Sequence, residues 1–150
     1  MFDIKNNLKI FKGFSPQTRT ADITTQACDL QGFLGAMVIM PVGASGDTLS
    51  STVLFTVTLS HSDDDSTYTT VTSNADVTGG TLASGGGWLL LDAPGDASKV
   101  YGIGYVGGKR YLKCTVTKTG THSNGTIMGV DFIKGHPIDA PVSTDSNNGA

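Results

Sequence analysis

From Thr52 to His61 apolar residues fall on alternate positions: Val53, Phe55, Val57 and Leu59 are interleaved with Thr52, Leu54, Thr56, Thr58 and Ser60. A period of two is the signature of a half-buried strand, so one face of this segment is core and the other is largely threonine. The turn SDDDST follows, and Asp and Ser bond their own backbone in turns, so Tyr68 to Val71 is expected to return as an antiparallel partner. Further along, Leu112, Cys114 and Val116 face one way while Tyr111, Lys113, Thr115 and Thr117 face the other. The dipeptide Asn124-Gly125 is a strong hairpin signal, and it predicts a return strand over Thr126 to Lys134 with Met128, Val130 and Phe132 inward.

The remaining segments are patterned less cleanly. Leu34 to Val42 is an almost continuous apolar run of strand length, and Pro41, which cannot donate to a ladder, predicts an edge or a bulge at its end. Tyr101, Ile103 and Tyr105 share one face, and Gly102 and Gly104 between them predict close approach by neighbouring backbone. Gly107 and Gly108 sit where a tight hairpin needs positive φ. Trp88 to Leu91 is expected as a short buried strand between the glycine-rich stretch 74–87 and a turn at Asp92 to Ser98. Ser15 and Pro16 mark a break before a mostly polar strand at Thr18 to Ile23, and Ala27 to Leu30 is a shorter candidate.

Before that break, Phe2, Ile4, Leu8, Ile10 and Phe11 follow no single period. An arm, a short helix and an edge strand all fit, and an arm packed on the body or on a neighbouring subunit is the preferred reading. After Gly135 periodicity is lost, and residues 143–150 are expected to be disordered. The chain thus divides into an arm (1–14), one domain (15–142) and a tail (143–150). Seven or eight strands and no helix of ten residues predict an all-β antiparallel sandwich, jelly-roll or Ig-like, over a small barrel.

A compact chain of 150 residues buries roughly 70% of its unfolded surface, enough for a core without disulfides or metal. A net charge of −3 with only scattered Lys and Arg argues against nucleic acid, which demands a basic stripe. Charged residues make up 15% of the chain, against a usual share of about a quarter, so the surface is neutral and hydroxyl-rich. Cys28 and Cys114 are too few for a disulfide framework and fit two free thiols in a reducing cytoplasm. The N-terminal segment, interrupted by Asp3, Lys5, Lys9 and Lys12, lacks the apolar run of a signal peptide or membrane span.

Candidate chemistry is sparse. Asp63, Asp64 and Asp65 are the only dense cluster of hard oxygen ligands, but they lack the alternate spacing, central glycine and distant glutamate of a calcium loop, so a solvated turn is expected. His61, His122 and His136 show no zinc-type spacing. No GxSxG elbow, nucleophile–base pairing or phosphate loop occurs, so neither enzymatic activity nor a cofactor is expected. Trp88, Tyr101, Tyr105, Tyr111 and Tyr68 are candidates for a sugar-stacking platform, set against core and strand-end positions for the same residues.

The segments GFSPQTRTADI, DLQGFLGAMVIMPVG, VTLSHSDDDSTYTTV, KRYLKCTVTKTGT and IMGVDFIKGHPIDAPV, in that order, resemble small β-sandwich virion proteins of tailed bacteriophages. The resemblance covers most of residues 13–142 and rests on pattern and segment order. It implies a head decoration or cement protein on the capsid surface, made in the host cytoplasm, with the major capsid protein as partner and homo-oligomers such as trimers. It transfers no functional residues. The expected contact residues come from the two ends: Phe2, Ile4, Leu8, Ile10 and Phe11 in the arm, and His136, Pro137, Ile138 and Pro141 in the departing tail. A carbohydrate-binding or adhesion module, or a tail or neck component, is the alternative.

Overall fold

The computed structural model describes residues 3–139 and Val142. Its strands are β1 (Leu8–Arg19), β2 (Ile23–Thr24), β3 (Cys28–Asp29), β4 (Phe33–Ser45), β5 (Leu54–Ser62), β6 (Thr69–Thr70), β7 (Val77–Thr78), β8 (Gly87–Leu91), β9 (Lys99–Tyr105), β10 (Tyr111–Thr119) and β11 (Thr126–Pro137). Seven of them have five residues or more, and all pairings are antiparallel. One sheet runs β1-β11-β4-β9-β7; the other runs β2-β10-β5-β6, with β3 on β10 and β8 on β5. The protein is an antiparallel β-sandwich, as the alternation predicts.

The core lies between the sheets and follows the period of two. Val38, Met40, Ile103, Met128, Val130 and Phe132 enter it from the five-stranded sheet; Phe55, Val57, Leu59, Leu112, Cys114 and Val116 enter from the other, all buried. Both inner faces read from the sequence are therefore in place, and both cysteines are buried free thiols.

The connections differ from expectation. Asn124-Gly125 does not close a hairpin, because β10 pairs with β5 without interruption from Tyr111↔Ser62 to Thr119↔Leu54, while β11 lies in the opposite sheet between β1 and β4. The turn is a crossover held by a side chain: Asp47 accepts the backbone N–H of Asn124 at 3.0 Å and of Gly125 at 2.6 Å. Beneath it His122 is buried against the Phe55 ring at 4.0 Å between centroids, its Nε2 lying 3.2 Å from the Leu54 carbonyl oxygen and 3.1 Å from that of Thr119. With two carbonyls facing it, Nε2 carries the proton. Likewise Gly107-Gly108 is no hairpin: it carries the chain from β9 in one sheet to β10 in the other, with Gly108 at φ +72°.

The N-terminal segment is corrected as well. Residues 8–14 are not an arm; they open the edge strand β1, paired from Leu8↔Gly135 to Lys12↔Asp131 and irregular on either side of Phe14. Ser15-Pro16 is thus not a break. Pro16 falls in the second irregularity of an edge strand, where a residue with no N–H is tolerated. Pro41 lies in β4, which is interior to its sheet, but directly before a bulge: Val42 and Ser45 pair with Met128 and Thr126. Of the expected edge and bulge, the bulge is found. Trp88 to Leu91 is only partly interior, with Leu91 buried and Leu90 exposed. The expected disorder at 143–150 lies outside the described residues.

Candidate functional site

The outer face of the five-stranded sheet is where this sandwich departs from the usual polar exterior. Alternation in β4 that sends Val38, Met40 and Val42 inward sends Met37, Ile39 and Pro41 outward. The same logic puts Leu8 and Ile10 of β1, Ile127 and Ile133 of β11, and Val100 of β9 on that outer face. Ile10, Met37, Val100 and Ile127 are exposed large hydrophobics, as is Val106 just beyond β9. A groove of about 580 Å³ runs across the face, lined by Leu8, Met37, Thr78, Ile133, Gly135 and His136 among others.

Glycines alternate with these side chains and make room for them. A Cβ on Gly102 would come within 2.5 Å of Met37 Cε, one on Gly129 within 2.9 Å of Pro16 Cγ, and one on Gly43 within 3.0 Å of Ile127 Cβ. Met37, Pro16 and Ile127 therefore each lie over a neighbouring strand's glycine. The charges on the outer positions of β1 and β11 are Lys12 and Asp131, which face each other in register. Partial burial pushes the Asp131 carboxyl above the usual carboxylate range, and Lys12 opposes that shift.

The opposite exterior is ordinary. Thr56, Thr58, Thr115 and Thr117 pair across β5 and β10, and Thr24 Oγ1 bonds Thr115 Oγ1 at 2.9 Å. Lys113 and Arg110 cover the rings of Tyr68 and Tyr111, at 3.8 and 4.9 Å from their centroids.

The sequence-derived contact residues divide. Leu8 and Ile10 belong to the apolar face, and Ile4 is exposed beside it at the start of a 3-10 turn, Lys5–Asn7. Phe11 points inward instead, 6.0 Å from the Phe132 ring. His136, at φ +53°, and Pro137 end β11, and Ile138 is exposed with its N–H on the Gly32 carbonyl at 2.9 Å. Phe2 and Pro141 lie outside the described residues. The two ends do meet, since the Val142 N–H donates to the Asn6 carbonyl at 2.8 Å. Sequence reasoning missed Met37, Ile39, Val100, Ile127 and Ile133. The signal was available in the unbroken run Leu34 to Val42, which in an antiparallel sheet implies apolar side chains on both faces.

The other candidates do not assemble into sites. Asp64 accepts from the Ser66 and Thr67 N–H groups at 2.9 and 2.8 Å and from Ser62 Oγ at 2.7 Å, Asp63 pairs with Lys109, and Asp65 accepts from the Tyr68 hydroxyl. Among the described residues no group of three His, Cys, Asp or Glu is placed to hold a metal. His61 Nδ1 bonds the Tyr105 hydroxyl at 2.8 Å, far along the fold from the buried His122. Burial pushes the Cys28 and Cys114 thiols up to about 12. Tyr105 is buried and Trp88 packs against the core with its indole N–H enclosed, so neither ring is presented to solvent as part of a platform, while Tyr68, Tyr101 and Tyr111 are half-buried. No helix of the described residues is long and apolar enough to cross a membrane.

No protein-family model and no curated protein matches the chain. Among solved structures it is similar to a CBM32 module of a family 31 glycoside hydrolase from Clostridium perfringens, at 13% identity and TM-score 0.32 over 84% of this chain and 94% of that one. It is also similar to a chain of the infectious bursal disease virus Gt strain, at 10% identity and TM-score 0.27, covering 93% of this chain and 46% of that one. At these scores neither likeness bears on what this chain binds.

Proposed function

We propose that this chain is a non-enzymatic structural component of a tailed-phage particle, a decoration or cement protein that binds the lattice of the major capsid protein at the virion surface. The observation that carries the reading is the asymmetry of the sandwich: one exterior is rich in large apolar side chains, the other in threonine and other polar groups. Such a module is suited to lie between a protein surface and water. Its polar groups support the same reading, because the clustered carboxylates are committed to turns and ion pairs and both thiols are buried. The resemblance in segment order supplies the particle, and the joined ends around Ile4, His136 and Ile138 supply a rim for seating on the lattice.

Electron microscopy of the parent particle tests this directly. Sandwich-sized density over the capsid lattice is the expected result. Density confined to the tail or neck, or none on the particle, overturns the proposal.

A further inference from the structure

We infer that Asn124 is a site of spontaneous deamidation held in check by Asp47, so that its side-chain amide is lost only when the crossover between β10 and β11 opens. Asparagine followed by glycine is the dipeptide most prone to this reaction, because no side chain shields the amide nitrogen that follows. The Gly125 nitrogen attacks Asn124 Cγ and gives up its proton to hydroxide. The N–Cγ bond forms, and Nδ2 leaves as ammonia. Water then opens the cyclic imide at either carbonyl and leaves aspartate or isoaspartate. In sum one water is consumed and one ammonia released.

The reaction needs a free N–H on Gly125 and an Asn124 side chain that can swing over it. The structure denies both. Asp47 Oδ2 accepts the Gly125 N–H at 2.6 Å, while Oδ1 accepts the Asn124 N–H at 3.0 Å and the Asn124 side-chain amide at 3.2 Å. One carboxylate therefore grips the nucleophile and the leaving group together. The Gly125 carbonyl is fixed as well, accepting the Gly46 N–H at 2.8 Å. Asn124 is exposed and Gly125 buried, so water reaches the amide and the nitrogen is what is locked. Asp47 is itself positioned: Ser45 Oγ donates to its carbonyl at 2.7 Å and meets Thr126 Oγ1 at 2.8 Å.

A carboxylate on an N–H can also serve as a base, but Asp47 is a poor one. The Asn124 N–H first, then the Gly125 N–H and the Asn124 amide, hold its carboxyl below the usual carboxylate range, with His122 Nδ1 3.8 Å away. It pins the proton rather than taking it. The product, by contrast, does not fit. A carboxylate at position 124 would face Asp47 as a like charge where an amide now donates, and isoaspartate would add a backbone atom to a connection held at both ends. Each event is thus a one-way record of an opening.

This inference concerns the free chain and stands independently of the capsid reading. The full chain is incubated at pH 8 in its native state and in urea, and Asn124 is followed by peptide mass spectrometry with isoaspartate methylation. Native deamidation is expected to be at least about tenfold slower than in urea, in step with the exchange protection of the Gly125 N–H. Asp47→Ala should remove most of that slowing while far-UV circular dichroism is retained. If it does not fold, Asp47→Asn, which keeps the shape and loses one acceptor, serves the same purpose. Gly13→Ala, which strains the sheet at Val130 and Phe132 instead of the crossover, should leave the Asn124 rate unchanged. A native rate equal to or above that in urea overturns the inference. Asp47 variants that deamidate no faster than the native chain, or equal acceleration by Gly13→Ala, overturn it as well.

Discussion

Whether residues 8–14 belong to their own sandwich can be decided by a double-mutant cycle on Phe11 and Phe132. Phe132 is fully buried in β11, and Phe11 of β1 pairs with it in register, the rings 6.0 Å apart and inclined at 54°. Truncating a fully buried phenylalanine costs about 3–5 kcal/mol. For a domain of this size that lowers the melting temperature by about 6–20 °C, at about 2–4 °C per kcal/mol. Phe11 is half-buried, so Phe11→Ala should cost about 1–2 kcal/mol from lost apolar area. Because the two rings share a contact, the double variant should lose less than the sum, by a coupling of about 0.5–1.5 kcal/mol. Urea unfolding followed by the fluorescence of the single tryptophan, Trp88, supplies all four corners of the cycle. Strictly additive losses would show that the rings do not meet. A coupling that rises with protein concentration would show that Phe11 reaches a neighbouring copy, as an arm would.

Three further outcomes are expected. Gly13→Ala should destabilise by about 1–3 kcal/mol in the same assay, because its Cβ would stand 2.7 Å from the Val130 carbonyl oxygen, which the sheet holds in place. Both thiols should be inert to a disulfide reagent at pH 8 in the native protein and react together in urea, since burial raises each to about 12; native-state labelling of either would refute the packing. Asp64 is held well below the usual carboxylate range by the N–H groups of Thr67 and Ser66 and the Ser62 hydroxyl, so its contribution is present above its unfolded value near 4 and is lost as pH falls below it. The protection factors of the Ser66 and Thr67 amides, which correct for the intrinsic pH dependence of exchange, should therefore fall in acid, and Asp64→Asn should abolish that fall.

The inner faces were legible because the period of two does not depend on which strand is the partner. Leu112, Cys114, Val116, Met128, Val130 and Phe132 are all buried as predicted, although the first three and the last three lie in opposite sheets. What local chemistry does not encode is whether a turn stays in its sheet. Asn124-Gly125 has the backbone freedom for a hairpin, but the groups that decide are distant in sequence, Asp47 holding its N–H groups and Leu54 bonding His122. The N-terminal strand was obscured for a different reason. The bulges around Phe14 reset its phase, and Leu8 and Ile10 are apolar on a face normally polar, so no single period survives. The apolar face itself went unread because exposure was inferred from polarity, and this sheet breaks that link.

The glycines beneath the large outer side chains also act as a key against mispairing. Sliding a strand by two residues keeps every side chain on its face, so in a sheet apolar on both sides hydrophobicity alone does not forbid it. Shifting β9 along β4 in one direction would drive Val100 into the space Met37 takes over Gly102. Shifting it the other way would put Val106 where Gly104 now lies against the Thr78 hydroxyl, with no room for a Cβ. The missing side chains thus carry the alignment information that the apolar pattern lacks, and a glycine-to-valine change there is a change in folding fidelity before it is a change in surface.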